Sequence, residues 1–165
     1  MFHLDERDIE ILTILRQEGR ISKSALAKRV NLSNSPCWER LRRLEDAGII
    51  TGYGARIALE KLTEHIVVFV VAELENHRAE DFELFENAIR DEPEIIACWA
   101  LGGGFDYLLR VVARNINAYQ QLIDRLLDRN IGLMRYFTYV VTKEVKSVSS
   151  LPLQRLLEDD PTAAR

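Results

Sequence analysis

The hydrophobic pattern of this 165-residue chain changes its period once, near residue 61. Before that point apolar residues recur at the three- and four-residue spacing of short helices, and after it β-branched runs such as Ile66–Leu74 alternate with helical segments. The change predicts an α+β protein with a helical domain over residues 1–61, a mixed domain over 62–153 and a tail over 154–165.

The helical domain contains three helix starts of the same design. Asp5, Ser22 and Ser33 each stand as an N-cap before an apolar series, and each follows a Leu or Ile that can pack on the first turn. Three residues, 31–33, connect the second and third helices, a connection typical of a helix-turn-helix. A generic helical subdomain is the alternative. Residues 49–60 are predicted as a short extended hairpin or arm.

The polar face of the third predicted helix suits DNA. Asn34 and Ser35 fall in its first turn, where a recognition helix offers hydrogen-bonding groups to base edges. The chain has a net charge of −4, yet residues 16–43 hold eight Lys and Arg against two Glu, and such clustered cations bind phosphates. The candidate DNA-binding residues are Lys23, Lys28, Arg29, Ser33, Asn34, Ser35, Trp38, Arg40, Arg42 and Arg43. Trp38 is alternatively a packing residue at the rim of the helices.

The second domain follows the order β-α-β-β-α-β. Strands are predicted at 66–74, 95–101, 105–113 and 136–148, with helices at 80–91 and 116–128. This order is that of a ferredoxin-like fold, in which both helices cover one face of an antiparallel sheet. The first and last strands are apolar on both faces, so a second copy of the chain is expected to cover the other face in a homodimer.

The glycine run 102–104, between the two middle strands, has two interpretations. One is a flexible hairpin turn. The other is a site where backbone N–H groups approach a ligand beside the Asp106 carboxylate, a combination that complements an amino-acid zwitterion. A phosphate loop is excluded because no Gly-Lys-Ser/Thr sequence follows.

Enzyme, metal and membrane functions have no support in the sequence. His3, His65 and His77 are scattered, and Cys37 and Cys98 form no CxxC pair, so no catalytic residue, metal ligand or cofactor is expected. No apolar run is long enough to span a membrane and no secretory signal is readable. A cytoplasmic protein without a membrane partner is expected.

Motifs in both halves resemble the leucine-responsive/asparagine regulator (Lrp/AsnC, feast–famine) family, to about Leu153. They are Leu4-Asp5 with Asp8, Gly19-Arg20-Ile21-Ser22, Leu32-Ser33, Pro36-Cys37, Gly48-Ile49-Ile50, Gly103-Gly104-Phe105-Asp106-Tyr107-Leu108-Leu109 and Tyr139-Val140-Val141. The resemblance implies a winged helix-turn-helix domain followed by a ferredoxin-like effector-binding and oligomerisation domain. It also implies a transcriptional regulator that binds double-stranded DNA as a dimer, often within octamers or larger rings.

In such regulators a small effector, usually an amino acid, binds between the effector domains of neighbouring dimers. The resemblance places Leu101, Gly103, Gly104, Asp106 and Thr138 at that site. Gly102 and Gly104 stand where the family commonly has hydroxyl or polar side chains, so the identity of the effector stays open. An architectural protein that coats DNA, or a sensing module of a partner enzyme, is the alternative. The operator, the choice between activation and repression, and the size of the oligomer are also left open.

Overall fold

The computed structural model describes residues 3–146 and 151–158. Contacts within the chain define two compact units. One contains the residues up to Arg56 together with the C-terminal segment from Lys146, and the other runs from Ile57 to Val145. Among the described residues, no helix is both long and apolar enough to cross a membrane.

The first unit contains the three predicted helices, α1 (Glu6–Gln17), α2 (Lys23–Arg29) and α3 (Asn34–Asp46), and a short C-terminal helix, α6 (Leu153–Glu158). The expected caps are present at the first two helices. Asp5 and Asp8 form a reciprocal capping box, and the Ser22 hydroxyl accepts a hydrogen bond from the backbone N–H of Ala25 at 3.2 Å. Ser33 occupies the cap position of α3 without a side-chain hydrogen bond.

The core of the first unit lies where the three helices meet. The turn between α2 and α3 is closed by the N–H of Leu32, which donates to the carbonyl of Ala27 at 2.9 Å, while Asn31 takes a left-handed φ of 53°. Gly48 ends α3 with a φ of +68°. The buried apolar residues are Ile11, Leu26, Ala27, Val30, Cys37, Leu41 and Leu44. This packing confirms the predicted helix-turn-helix.

The segment after α3 is an arm. Residues 51–58 form no strand, so the hairpin form of the prediction is wrong for these residues, and a single 3₁₀ turn follows at Leu59–Lys61. These residues are almost all exposed, so a strand here would have no apolar face to bury.

The second unit has the predicted ferredoxin-like topology. Its elements are β1 (Ile66–Leu74), α4 (Ala79–Arg90), β2 (Ile95–Ala100), β3 (Tyr107–Ala113), α5 (Ile116–Asp128) and β4 (Leu133–Val140). The sheet has the order β2-β3-β1-β4 with every pair antiparallel. The even-numbered residues of β1 and the odd-numbered residues of β3 are buried with α4 and α5 in one core.

The last strand differs from the prediction. It begins at Leu133 and ends at Val140, whereas the sequence pattern indicated 136–148. Gly132, with a φ of +71°, turns the chain so that β4 pairs with β1 as far as Leu74. Residues 141–146 are not in a strand, and residues 147 and 148 lie outside the described residues.

The sheet face opposite the helices is largely apolar, with Arg110 beside Phe69 in its middle, and it is uncovered within the described chain. Pairing aligns Phe69 of β1 with Tyr139 of β4, and Val71 with Phe137. Tyr139 is 57% exposed and Phe137 is 42% exposed. We call this surface, formed by Val67, Phe69, Val71, Trp99, Leu108, Val112, Phe137 and Tyr139, the open sheet face. The apolar pattern on both sides of β1 therefore corresponds to one core face and one open face, as the sequence predicts.

Candidate nucleic-acid interface and effector loop

The first turn of α3 presents small polar side chains at the surface. Ser33, Asn34 and Ser35 are all exposed, while Cys37, Leu41 and Leu44 of the same helix are buried. Ser35 and Arg42 are seven residues apart, so they lie on nearly the same side of the helix, away from this buried stripe. α3 thus has an exposed polar face beginning at its N-terminus, as a recognition helix requires.

Trp38 connects α3 to the start of α2. The Nζ atom of Lys23 lies 2.8 Å from the centre of the Trp38 ring, in cation–π geometry, and the ring remains 40% exposed. This contact favours the packing role of Trp38 at the rim of the helix pair.

The predicted cations on α2 are at the surface. Lys28 and Arg29 are exposed, and the Arg29 guanidinium pairs with the carboxylate of Glu18. Both partners of this pair are about half exposed, so the pair contributes little to stability and leaves the cation accessible to solvent.

The three arginines of α3 differ in their surroundings. Arg40 is 28% exposed, and its Nη1 lies 2.5 Å from an Asp5 oxygen and 2.9 Å from an Asp8 oxygen. Arg43 is half exposed and donates to the other oxygen of Asp8. Arg42 is 72% exposed and lies 3.7 Å from the equally exposed Asp46. Arg42 therefore faces solvent, whereas the Arg40 guanidinium is bound within the domain.

Electrostatics in this group favours the charged forms. Burial alone would raise the pKa of Asp5, but the hydrogen bond from the backbone N–H of Asp8 and the Arg40 guanidinium outweigh it and lower that pKa. Hydrogen bonds to Asp5 and Asp8 raise the pKa of Arg40 above its ordinary value. The sequence pattern did not indicate the partners of Arg40. Asp8 and the buried Ile11 are three residues apart, so both lie on the inner side of the amphipathic helix α1. An acid on that side was the signal that a cation of the same domain would pair with it.

The predicted effector residues Leu101, Gly103, Gly104 and Asp106 lie in the loop between β2 and β3. Gly103 has a φ of +148°, a conformation that favours glycine, and all three glycines are exposed. The N–H of Leu101 donates to the Asp106 carbonyl at 2.7 Å, which closes the base of the loop. We call residues 101–106 the glycine loop.

The Asp106 carboxylate ties the glycine loop to the end of β1. It accepts a hydrogen bond from the N–H of Leu74 at 2.8 Å and lies 3.0 Å from Nε2 of His77, and its side chain is 16% exposed. In the sequence His77 stands as an isolated histidine, because 29 residues separate it from Asp106.

Thr138 lies apart from the glycine loop in the sheet. It pairs with Val70 on the helix-covered side, and β1 stands between its strand and β3. Its hydroxyl is 2.5 Å from the hydroxyl of the buried Tyr119 on α5. The structure therefore brings four of the five predicted effector residues into one loop and links the fifth to α5.

An open cleft of about 480 Å³ lies between α4 and the edge strand β2. Tyr107 lines it, and its hydroxyl donates to Glu86 at 2.8 Å. Burial and this hydrogen bond raise the pKa of Tyr107, so the phenol stays protonated. The sequence pattern did not indicate this cleft.

Comparisons with known proteins agree with this architecture. A winged helix-turn-helix DNA-binding model matches residues 4–51, and the Lrp/AsnC ligand-binding domain model matches residues 67–151. The chain is 52% identical to the transcriptional regulatory protein DoeX of Halomonas elongata, over 89% of this chain and 93% of that protein. It is 40% identical to the leucine-responsive regulatory protein of Escherichia coli K12, over 92% of each.

Solved structures show the same similarity. A transcriptional regulator of Neisseria meningitidis, solved as a complex with L-Met, has a TM-score of 0.86 and 36% identity, covering 93% of this chain and 99% of that one. An AsnC family regulator of Agrobacterium tumefaciens has a TM-score of 0.86 and 30% identity, covering 93% and 99%. With both family models in the order of the two structural units, the chain belongs to the Lrp/AsnC family of transcriptional regulators.

Proposed function

We propose that this regulator recognises near-palindromic operators through the exposed face of α3. The observation that carries the proposal is the polar first turn of α3, Ser33 to Ser35, exposed above a buried apolar stripe in a domain of helix-turn-helix form. In this arrangement Asn34 and Ser35 contact base edges. Lys23, Lys28, Arg29 and Arg42 contact phosphates on either side.

The same proposal includes a homodimer formed through the open sheet face. Phe137 and Tyr139 are large, half-exposed apolar side chains beside Phe69, and a soluble chain rarely leaves such a patch uncovered. A dimer also matches the two-fold symmetry of a palindromic operator. Dimers are expected to assemble further into octamers or larger rings.

We assign the glycine loop to a small amino-acid-type effector bound between effector domains of neighbouring dimers. Its exposed backbone N–H groups suit a carboxylate, and the solved Neisseria relative is a complex with L-Met. Asp106 is already bonded to Leu74 and His77, but an ionised carboxylate accepts about four hydrogen bonds, so it can also accept one from an ammonium group. No cofactor, catalytic reaction or membrane partner is assigned, and the protein is placed in the cytoplasm.

Operator recognition is tested with a DNA fragment that the wild-type protein selects from a random pool, against a scrambled competitor. Replacing Asn34 and Ser35 by Ala should lower the ratio of operator to competitor affinity by at least tenfold. Arg42→Gln should weaken binding to both fragments and reduce the slope of log affinity against log salt by about 1.8, the value for one lost phosphate contact in each subunit of the dimer. Arg90→Gln, on α4, is the control with the same change in charge.

A wild-type protein that prefers no fragment would instead be the architectural DNA-coating protein.

The effector is tested by thermal unfolding with each amino acid, including L-methionine and L-leucine. A ligand at 100 times its Kd stabilises the folded state by about 2.7 kcal/mol, a readily measured shift. Equal ligand-induced shifts for wild type and Asp106→Ala would remove the Asp106 carboxylate from the effector site.

A further inference from the structure

Asp8 is a charged side chain with no exposed surface, at the point where α1 meets α3. One of its oxygens accepts from Arg40, and the other accepts from Arg43 and from the backbone N–H of Asp5. Asp5 adds a second carboxylate to Arg40. The carboxylates of the N-cap Asp5 and of Asp8, in the first turn of α1, thus hold two guanidinium groups of α3. We call these four residues the acid–arginine clasp.

The clasp is placed to set the orientation of α3 about its own axis. Arg40 and Arg43 are three residues apart, so they lie next to each other on the surface of the helix, and both reach α1. Together with the buried stripe of α3, the direction in which these two side chains are held constrains where Ser35 and Arg42 point. A single nitrogen of Arg40, Nη1, lies between the carboxylates of Asp5 and Asp8 and donates to both.

We propose that Asp8, with Asp5, is a positioning residue for operator recognition. It binds Arg40 away from the DNA phosphates and fixes α3 so that Ser35 and Arg42 face the groove. This inference rests on DNA binding by α3. It removes Arg40 from the DNA-binding candidates that the sequence indicated and gives it a role in selecting sequence. The competing possibility is that Arg40 leaves the clasp and binds phosphate when DNA is present.

Arg40→Gln separates these possibilities, measured on the full-length protein with the selected operator fragment and the scrambled competitor over a range of salt concentrations. A positioning role predicts that operator affinity falls at least tenfold. Competitor affinity should change less than twofold, and the salt slope for competitor should stay the same. A phosphate contact predicts equal losses on both fragments and a competitor slope smaller by about 1.8, since each subunit of the dimer loses one contact, and that result would overturn the proposal.

Arg40→Lys gives a second, independent answer. Lysine binds phosphates as a point charge, so it would preserve affinity for both fragments if Arg40 touched DNA. Its side chain is one bond shorter, so its ammonium cannot reach the position from which Nη1 of Arg40 contacts both Asp5 and Asp8. We therefore expect operator preference to fall in this variant nearly as far as in Arg40→Gln. Full retention of the preference contradicts the positioning role.

Asp8→Asn changes the clasp from the opposite side. It weakens the hold on Arg40 and Arg43, so competitor affinity should rise at least threefold while the ratio of operator to competitor affinity falls. Glu10→Gln is the matched control, since it makes the same charge change on α1 at an exposed pair with Arg7. It should leave the ratio unchanged. A ratio unaffected by Asp8→Asn contradicts the proposal.

Thermal unfolding of each variant shows whether it is folded at the assay temperature. If Asp8→Asn is unfolded, the two Arg40 variants decide whether Arg40 has a positioning role. The wild-type preference for operator tests the proposed function separately. If the wild type does not prefer the operator, the proposed operator recognition is wrong. If the wild type prefers it and all three clasp variants keep this preference, only the positioning role is wrong.

Discussion

The imidazole of His77 lies 3.0 Å from the carboxylate of Asp106, across the end of β1. The same carboxylate accepts the N–H of Leu74, the last residue of that strand. His77 also lies against Phe82 of α4, with ring centres 6.0 Å apart. Asp106 therefore joins the glycine loop, the end of β1 and the start of α4, so its structural role can be measured separately from effector binding.

Asp106→Ala is expected to lower the free energy of unfolding by about 1–3 kcal/mol, because the N–H of Leu74 loses its acceptor at a part-buried position. Asp106→Asn keeps an oxygen that can accept this bond, so its loss should be less than half as large. Urea unfolding measures both. Asp124→Ala, which removes an exposed carboxylate of α5, is the control. Equal losses for Ala and Asn at position 106 would show that charge, rather than the Leu74 bond, is responsible.

Thr138→Val should destabilise the protein by about 1–3 kcal/mol, because it leaves the hydroxyl of Tyr119 buried without its partner. Thr138→Ser retains the hydroxyl and should lose less than 1 kcal/mol relative to wild type. Thermal unfolding with Thr142→Val as an exposed control makes the comparison. If valine is tolerated as well as serine, the hydroxyl pair does not stabilise the packing of α5 on β4.

Local signals explain which parts of the fold were predictable. The side chains of Asp5 and Ser22 cap their helices by accepting a hydrogen bond from the backbone three residues later. The spacing of apolar residues in α3 and β1 indicates which of their faces is buried. The start of β4 was predicted three residues late, at Tyr136. The start of β4 is set by the pairing of Leu133 with Leu74 and by the left-handed conformation of Gly132. The apolar pattern of the strand itself indicates neither of them.

In the candidate site, too, the features that depend on nearby residues were predictable and the long-range contacts were not. The exposure of Asn34 and Ser35 and the grouping of Leu101 with Asp106 depend on nearby residues. The ion pair of Arg40 with Asp8 spans 32 residues, and its side chains meet only because α1 packs on α3. A basic residue on a recognition helix therefore gives no local sign of whether it points to DNA or into the domain.

Tyr139→Glu is expected to convert the dimer to monomers, because a second copy would have to bury a carboxylate in the apolar open sheet face. Tyr139 is 57% exposed, so the substitution disturbs the single subunit little. Sedimentation equilibrium should show the dimer dissociation constant rising at least 100-fold. Leu84→Glu, on the outer side of α4 and 49% exposed, is the control and should leave assembly intact. A dimer unchanged by Tyr139→Glu would place the interface elsewhere.

Asp5→Asn is expected to make stability less dependent on acid pH. Asparagine caps a helix about as well as aspartate, so the substitution isolates the charge facing Arg40. The folded-state pKa of Asp5 is lowered, so the ionised side chain contributes stability above its unfolded pKa, near 3.9, and loses it as pH falls through the folded value. Asp5 is 43% exposed, so the wild type should exceed the variant by about 0.2–1 kcal/mol at pH 7. Urea unfolding at pH 7, 5 and 3 should show this difference shrinking at pH 3, and a difference that grows with acidity would contradict the assigned sign.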